Sequence, residues 1–378
     1  MEKLIYVHVA RFGESEEGLV PGCDDATNDW YVIKQRSDGG DGVAMSLLSE
    51  DSGQMNHPNL ALVDTVCEVI GSRIYVIGGA CVSCRMGHWE CDYRGSAEIR
   101  CLDTRNPKDG WRTCFTLPFA GYIGLSAVVD DQWLYVFPAP HHRHPGDPCY
   151  YAFNVDTKEV REIPQPSNFR AAPCFSACLS PGTLVGYMMR EGAFYQLDCK
   201  NSAWTVYQED FPYDPELLTH CPIAVDDEII YIYHARDMRL ISYDIRNKKE
   251  LHVVDLPKSF WFGRNDPVQL LVLSKNRFCL LWHRPGDGDG DIDNDNETCI
   301  YYSRFSVSYD LPNPTVFLEE KQRFPVAGFR VLNVLPVNPH ADVANNSRVD
   351  VAGGEKPTGK QFDLEELNQK LLGASINQ

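Results

Sequence analysis

An apolar or aromatic residue followed by proline recurs at similar intervals along this chain of 378 residues. The pairs are Leu117-Pro118, Ile163-Pro164, Phe211-Pro212, Leu256-Pro257 and Phe324-Pro325, with His57-Pro58 as a weaker first member. Most intervals span roughly 45 to 60 residues, the length of a four-stranded propeller blade. Proline suits the end of a strand because it cannot donate to a central ladder. The spacing therefore predicts a ring of small sheets.

Within each interval, a short apolar strand is followed by a tight polar turn and a second apolar strand. Val66–Val69, for example, is followed by Gly71-Ser72 and then by Ile74–Ile77. Such turns and near-continuous apolar runs are typical of inner strands packed between neighbouring blades. A third strand then ends in Asp or Asn, at Asp103, Asn154, Asp198 and Asp244.

The two ends of the chain supply complementary parts of one further blade. The N-terminal part contains a second, a third and an outer strand without a first one, at Leu4–Val9, Trp30–Ile33 and Val43–Leu48. Phe329–Leu335 is a strand with nothing after it. Pairing them would close the ring and remove an open edge that favours aggregation. We therefore predict an all-β fold, a six-bladed β-propeller over residues 1–337 that is closed by a C-terminal strand. Two stacked sandwiches are the alternative, but they do not explain the equal spacing.

The composition changes after this strand. Residues 338–378 are rich in Asn, Asp, Gly and Lys, and they contain too few apolar groups to offset the entropy of ordering. We expect a disordered tail. A short helix at Phe362–Leu372, with Asp363 and Glu366 as a capping box, would make a docking peptide within it.

Charge and composition limit the classes of partner. The formal net charge is -18, without a local Lys/Arg cluster, so nucleic acid and membrane surfaces are disfavoured. No apolar run approaches the roughly 18 residues that cross a bilayer, and the N-terminus lacks a signal-peptide pattern. We expect a soluble protein of the cytoplasm, the nucleus or both. Its 14 cysteines are then expected to be free thiols.

Three connections between second and third strands are long or chemically distinctive, and in a propeller they would emerge on one face. The first, Gly79–Gly95, contains a C-x2-C-x3-H-x2-C pattern formed by Cys81, Cys84, His88 and Cys91. Thiolates and an imidazole suit tetrahedral zinc, and we keep these four as candidate ligands. Free thiols in a long loop are the alternative.

The second connection, Pro138–Pro148, contains three histidines that would need a further ligand to hold a metal. Recognition residues are commonly found on loops of rigid scaffolds. The predicted partner-binding residues are therefore His141, His142 and His144, together with Trp89 and Tyr93 of the first loop.

The third connection, His283–Glu297, is acidic at alternate positions from Asp287 to Glu297. An EF-hand needs Gly at its sixth position, where Ile292 stands here, so we expect a solvated insertion rather than a calcium site. The sequence contains no G-x-S-x-G elbow, Walker-type loop, H-E-x-x-H or Rossmann fingerprint.

Several of these features belong to one known repeat. The Gly78-Gly79 pair, the aromatic residue and Asp in the third strand, and Trp111 and Trp204 together resemble the kelch repeat from about residue 60 to 325. The chain is most similar to plant proteins of the F-box/kelch type, but it lacks their F-box, since Leu4–Val9 already has the pattern of a blade strand.

This resemblance implies a protein-binding scaffold or substrate-recognition module without catalysis of its own, binding a protein partner through the long-loop face. Any part in a ubiquitin ligase would be indirect. The alternative is a metal-dependent small-molecule enzyme of plant specialised metabolism, similar to nitrile-specifier proteins. Their E-x-x-x-D-x-x-x-H spacing is absent here, so zinc or iron would have to be held by the Cys and His residues above. We expect no cofactor for the scaffold.

Overall fold

The computed structural model describes residues 4–11, 27–35, 43–48, 62–63, 65–81, 96–119, 123–138, 149–165, 173–188, 190–214, 218, 221–258, 268–284, 299–309, 314–326 and 330–337. These residues form six four-stranded antiparallel sheets and one two-stranded ribbon. The prediction of a six-bladed β-propeller is confirmed. Among the described residues, no helix is long and apolar enough to cross a membrane.

Each blade is given with its innermost strand first. Blade 1 contains β26 (Arg330–Val337), β1 (Leu4–Arg11), β2 (Thr27–Gln35) and β3 (Val43–Leu47). Blade 2 contains β5 (Val66–Ile70), β6 (Arg73–Ile77), β8 (Glu98–Asp103) and β9 (Arg112–Thr116). Blade 3 contains β10 (Ile123–Val129), β11 (Trp133–Pro138), β12 (Cys149–Asn154) and β13 (Val160–Pro164).

Blade 4 contains β14 (Phe175–Ser180), β15 (Thr183–Met188), β16 (Ala193–Asp198) and β17 (Ala203–Gln208). Blade 5 contains β18 (Ile223–Asp226), β19 (Ile229–His234), β20 (Arg239–Asp244) and β21 (Lys249–Asp255). Blade 6 contains β22 (Val268–Ser274), β23 (Arg277–Arg284), β24 (Cys299–Ser308) and β25 (Thr315–Pro325). The ribbon pairs β4 (Leu62–Val63) with β7 (Ala80–Cys81), and a 3-10 turn spans Pro107–Asp109.

The two ends of the described chain meet in blade 1. β26 pairs antiparallel with β1, from Leu4 opposite Val337 to Ala10 opposite Arg330, with a register shift at His8. The innermost strands β26, β5, β10, β14, β18 and β22 each contact the next one around the ring. The predicted closure by a C-terminal strand is therefore correct, although Phe329 lies outside the described residues.

The repeated apolar-Pro pairs mark the ends of outer strands. β13 ends at Pro164 and β25 at Pro325, while Leu117-Pro118 and Leu256-Pro257 directly follow β9 and β21. The apolar members Leu117, Ile163 and Leu256 are buried, and Phe211 and Phe324 are partly buried against neighbouring clusters. The proline ends the ladder while its neighbour packs between blades. His57-Pro58 lies outside the described residues.

The tryptophans of the repeat pack against the preceding blade. Trp111, next to β9 of blade 2, lies 5.1 Å from Trp30 of blade 1 between ring centroids. Trp204 on β17 lies 5.9 Å from Tyr150 and 6.4 Å from Phe137 of blade 3. Aromatic pairs at these distances stabilise an interface beyond the area that they bury. These tryptophans therefore hold blades together.

The ring has two different faces. We call the end where first strands turn into second strands, and third into fourth, the tight-turn face; the other end is the long-loop face. On the tight-turn face, the first-to-second turn of blade 3 has positive φ at both Asp130 and Asp131, 54° and 53°, as in the type I′ hairpin turn. This is one of the predicted tight polar turns between a first and a second strand.

In blades 2 to 5, the Asp or Asn that ends the third strand caps the next turn. Asn154 Oδ1 accepts backbone hydrogen bonds from Asp156 at 3.1 Å and Thr157 at 2.9 Å. Asp198 Oδ1 accepts from Lys200 and Asn201 in the same way, at 3.0 and 3.1 Å. Because the short side chain replaces a backbone acceptor, it favours a tight turn at this point. The repeated Asp or Asn is thus structural.

Candidate functional site

Most of the predicted site residues lie outside the described residues. These are Cys84, His88, Trp89, Cys91, Tyr93, His141, His142 and His144, and also the acidic positions from Asp287 to Glu297. Cys81 is described only by the backbone of β7. Among the described side chains, no group of three or more His, Cys, Asp and Glu could hold a metal ion. The zinc and partner-contact assignments therefore stay predictions.

The strands next to these segments are described, and they end on the long-loop face. β6 and β8 flank residues 82–95, β11 and β12 flank 139–148, and β23 and β24 flank 285–298. The connection from β1 to β2, residues 12–26, joins strands that end on the same face. Two strands extend further than expected, because Pro138 belongs to β11 and His283 to β23.

The Cys/His segment begins on a paired backbone. Leu62 pairs with Cys81 and Val63 with Ala80, which continues the β5–β6 hairpin beyond blade 2 on the long-loop face. Gly78 and Gly79, at φ 62° and 104°, connect β6 to this extension. A positive φ is accessible to Gly without a steric cost, which explains the double glycine at this point. Residues 80 and 81, predicted as loop, are therefore strand.

A cavity of ≈ 350 Å³ lies on the inner strands of blades 2 to 5. Its polar side chains are Glu68, Ser126, Ser176, Cys178 and Asp227. The remaining lining residues are Ala127, Val128, Ala177, Leu184 and Val225. This lining includes two carboxylates and no Lys, Arg or His, so the described wall of the cavity does not favour an anion.

The central polar contact of this cavity joins two blades. The Ser126 hydroxyl on β10 donates to Glu68 Oε1 on β5 at 2.7 Å. Burial raises the pKa of Glu68 to about 7, and the hydrogen bond from Ser126 partly opposes this shift. Ser126 itself is only 4% exposed, so its hydroxyl is a link between blades rather than an accessible nucleophile.

Cys178 is similarly unsuited to nucleophilic chemistry. Its thiol donates to the Ser180 carbonyl oxygen at 3.3 Å, and burial raises its pKa. A thiol needs a lowered pKa and an electropositive environment to react readily. Neither the Ser126 hydroxyl nor the Cys178 thiol is thus an activated nucleophile.

Sequence reasoning does not identify Glu68 as part of a cavity. The sequence pattern places Glu68 in an apolar first strand, Val66–Ile70. A carboxylate within this apolar run is the signal that could have identified it. Charged side chains are rarely buried in an inner strand unless they have a partner. That partner, Ser126, is 58 positions away and becomes apparent only once blades 2 and 3 are placed side by side.

The polar groups of the tight-turn face connect neighbouring blades. Asp130 Oδ1 of blade 3 accepts from the Gly182 backbone of blade 4 at 3.0 Å. Arg246 of blade 5 donates to the Leu179 carbonyl oxygen of blade 4 at 2.8 Å, and it also forms an ion pair with Glu228.

Lysines in two equivalent third-to-fourth turns reach back to an aromatic ring. Lys158 Nζ of blade 3 is 4.6 Å from the ring centroid of Phe115 in blade 2, and Lys248 Nζ of blade 5 is 4.5 Å from that of Tyr207 in blade 4. Lys248 Nζ also donates to the Tyr207 carbonyl oxygen at 2.6 Å. The side chains of these two lysines therefore link each turn to the preceding blade.

No model of a known protein family matches the chain, and no curated protein matches its sequence. Solved structures of similar shape include TolB from Acinetobacter baumannii, at 11% identity and a TM-score of 0.47, over 88% of this chain and 66% of that one. YjhT matches at 10% identity and a TM-score of 0.47, over 84% of this chain and 95% of that one. The β-propeller domain of Myceliophteria thermophila Cps50 (Swd1) matches at 12% identity and a TM-score of 0.39, over 69% and 72%. Likeness at this level carries no argument about function.

Proposed function

We propose that this protein is a protein-binding scaffold of the kelch type, located in the cytoplasm, the nucleus or both, and that its long-loop face contacts the partner. The observation that carries the proposal is that short turns join the strands on one face, whereas long connections join several of them on the other. Polar side chains of the tight-turn face are engaged between blades, as Asp130, Arg246 and Lys248 are. Side chains committed to internal contacts are less available to a partner.

The opposite face receives four connections from a rigid ring, residues 12–26, 82–95, 139–148 and 285–298. Rigid scaffolds with long connections commonly carry recognition residues on those connections. We assign the contact to the aromatic and histidine side chains of two of them, since aromatic groups are frequent anchors of interfaces. The proposed contact residues are Trp89, Tyr93, His141, His142 and His144.

Two of these four connections are acidic and favour a basic partner surface beside the proposed contact residues. Residues 12–26 contain Glu14, Glu16, Glu17, Asp24 and Asp25 without Lys or Arg, and residues 285–298 are acidic in the same way. Complementary charge accelerates association and selects among partners. We assign no reaction to the central cavity, because its hydroxyl on Ser126 is buried and already hydrogen-bonded to Glu68.

Quantitative affinity capture with three versions of the chain tests this proposal. The versions are wild type, a long-loop variant with Trp89, Tyr93, His141, His142 and His144 changed to Ala, and a tight-turn variant with Lys158 and Lys248 changed to Ala. We expect one dominant partner to be retained by wild type and by the tight-turn variant. The long-loop variant should retain it at least about tenfold less, which corresponds to about 1.4 kcal/mol of binding free energy.

Circular dichroism and the thermal midpoint of each version show whether it is folded before capture is compared. Equal retention by a folded long-loop variant would contradict the proposed contact face. Elemental analysis of protein purified without added metal tests the enzyme alternative: near-stoichiometric zinc or iron that is lost in His88→Ala and His142→Ala would contradict a scaffold without metal chemistry.

A further inference from the structure

A histidine lies completely buried at the seam where the two ends of the chain close the ring. His8 on β1 is 0% exposed, and it pairs with Asn333 of β26 on one side and with Trp30 of β2 on the other. Its imidazole stacks on the Trp30 ring, with ring centroids 4.5 Å apart and 4° between the planes. The proposed scaffold function does not use this imidazole, which lies between strands of the ring itself.

Asn333 connects this histidine to the next blade. Its Nδ2 atom lies 3.3 Å from His8 Nδ1, and it donates to the Thr65 carbonyl oxygen at 3.2 Å and to Thr65 Oγ1 at 3.0 Å. Thr65 directly precedes β5 of blade 2, and Leu332, next to Asn333, is the extra residue of a β-bulge in β26. One amide group thus joins the C-terminal strand, the N-terminal strand and blade 2.

The contacts of this amide determine which proton state of the imidazole fits the seam. A backbone carbonyl oxygen only accepts, so the part of Asn333 that faces the Thr65 oxygen is its NH2 group. An amide NH2 only donates, and His8 Nδ1 beside it therefore accepts and carries no proton. A protonated imidazole has a proton on both nitrogens and would direct Nδ1–H at the amide hydrogens. The seam therefore fits the neutral ring.

Neither partner can turn to accept this proton without a loss elsewhere. Rotation of the Asn333 amide would place its Oδ1 against the Thr65 carbonyl oxygen. Rotation of the imidazole would put a C–H group in the place of the Nδ1 acceptor. Attraction between a cation and the indole of Trp30 favours the charged ring, but it removes neither the contact between two donors nor the desolvation of a buried charge. Protonation is therefore unfavourable while the seam is closed.

The other titratable groups around His8 do not supply a compensating negative charge. Tyr6 and Cys67 pack in the same cluster as Trp30, and burial raises the pKa of both, so they are uncharged near neutral pH. Asp29 of β2 is the neighbour of Trp30 along the strand, and successive side chains of a strand point to opposite faces. Asp29 is thus on the face of β2 opposite to Trp30 and its stacked imidazole.

Two further groups near the seam could respond to pH. Glu68 follows Cys67 on β5, but its carboxylate is hydrogen-bonded to Ser126 of blade 3, and its pKa of about 7 makes the fold less stable as pH rises. His283 on β23 of blade 6 is 6% exposed, and β23 also contacts β26. Glu68 therefore acts with the opposite sign, and His283 is the group that an experiment has to separate from His8.

We propose that His8 makes the closure of the ring sensitive to acid: the neutral imidazole holds β26 against β1 and blade 2, and its protonation loosens this seam. The unfolded chain accepts the proton freely with a pKa near 6.5, whereas the closed seam disfavours it. The contribution of His8 to closure is therefore fully present above about pH 6.5 and is lost as pH falls below this value.

Hydrogen exchange of the intact wild-type chain at pH 7.5 and at pH 5.0 tests the proposal. The measured quantity is the protection of Arg330–Val337 divided by that of Ile123–Val129, because the intrinsic effect of pH on exchange cancels in this ratio. We expect the ratio to fall about tenfold at pH 5.0, within the limit of roughly 30-fold that one imidazole can supply. An unchanged ratio would overturn the proposal, and this measurement needs no substitution.

A pair of matched variants assigns the fall to one histidine. His8→Gln keeps an acceptor for the Asn333 amide but does not titrate, so its ratio should be the same at both pH values. His283→Gln removes the other buried histidine and should show the same fall as wild type. A fall that persists in His8→Gln, or that disappears in His283→Gln, would contradict the assignment to His8.

Asn333→Asp tests the sign of the effect. A carboxylate accepts a hydrogen bond from protonated Nδ1, so the ratio in this variant should stay constant or rise at pH 5.0. The donation to Thr65 is lost at both pH values and does not change this sign. The thermal midpoint at pH 7.5 shows that each variant is folded before exchange is compared. A tenfold fall in Asn333→Asp would show that the contact with His8 Nδ1 is not the cause.

Discussion

The tight-turn face and the long-loop face of this ring are built from the same strands but differ in the length of the connections between those strands. On the tight-turn face, Asn154 and Asp198 cap turns, and Asp130, Arg246 and Lys248 join blades. The strands that end on the long-loop face are instead joined by the long connections 12–26, 82–95, 139–148 and 285–298. The repeated Asp or Asn of the tight-turn face therefore stabilises the fold, and we expect a partner to bind on the long-loop face.

Removing the closing strand should have the largest effect, because both faces depend on the ring. We expect deletion of residues 330–337 to abolish soluble folding, since β1 would lose its pairing and blade 1 would have an open inner edge. Truncation after Pro339 is the matched control and should leave solubility and the thermal midpoint nearly unchanged. Equal behaviour of both deletions would contradict closure by β26.

On the tight-turn face, Asn154→Ala should have the next largest effect. It removes the acceptor of two hydrogen bonds, from the backbone N–H groups of Asp156 and Thr157, at a cap residue that is itself buried. We expect a loss of about 1–3 kcal/mol in the free energy of unfolding, measured by denaturant titration. Asn154→Asp keeps the acceptor and is the control. Partner retention should be the same for both, because the turn lies opposite the proposed contact face.

The stability of the fold should respond to pH through Glu68 in the cavity on the inner strands. Its pKa is raised from an ordinary value near 4.5 to about 7 by burial, so the folded state loses stability as pH rises through this range. Glu68→Gln removes the titration. We expect the variant to match wild type near pH 4, below the unfolded pKa, and to exceed it at pH 8 by about 1 kcal/mol, a value reduced because Glu68 is half-buried. A difference that does not change with pH would contradict the assignment.

The smallest expected effect is that of Lys248→Met. This variant keeps the aliphatic stem but loses the cation over Tyr207 and the hydrogen bond to its carbonyl oxygen. For an exposed cation–π contact we expect a loss of about 0.5–1 kcal/mol, read from the thermal midpoint. Lys275→Met, on another exposed turn of the same face, is the matched control. Equal losses would show that the ring contact contributes nothing.

Local patterns predicted the repeat because they depend on near neighbours in sequence. The third strands end at Asp103, Asn154, Asp198 and Asp244, as predicted, since the capping side chain acts within three residues. The apolar-Pro pairs likewise mark the ends of outer strands. Complementary strands at the chain ends predicted the closure, although its register with β1 is visible only in the structure.

Other features depend on contacts between distant residues or on an irregular ladder. Burial raises the pKa of Glu68, and the opposing hydrogen bond from Ser126 is visible only when blades 2 and 3 are placed side by side. Cys114 is the extra residue of a bulge between β8 and β9, and nothing in the residue types around it marks this shift of pairing. The roles of Cys84, His88, Cys91 and His141 remain predictions from residue type, because these residues lie outside the described part of the chain.

Hydrogen exchange of the closing strand tests the central claim, a six-bladed ring sealed between its two ends, most directly. Amides of β26 that donate to β1 should exchange as slowly as amides of β10 that donate to β11, because both strands are innermost strands of closed blades. Slow exchange of Arg330–Val337 at the level of Ile123–Val129 is the predicted result. Exchange of β26 at the rate of an unstructured peptide, while β10 stays protected, would contradict the closed ring.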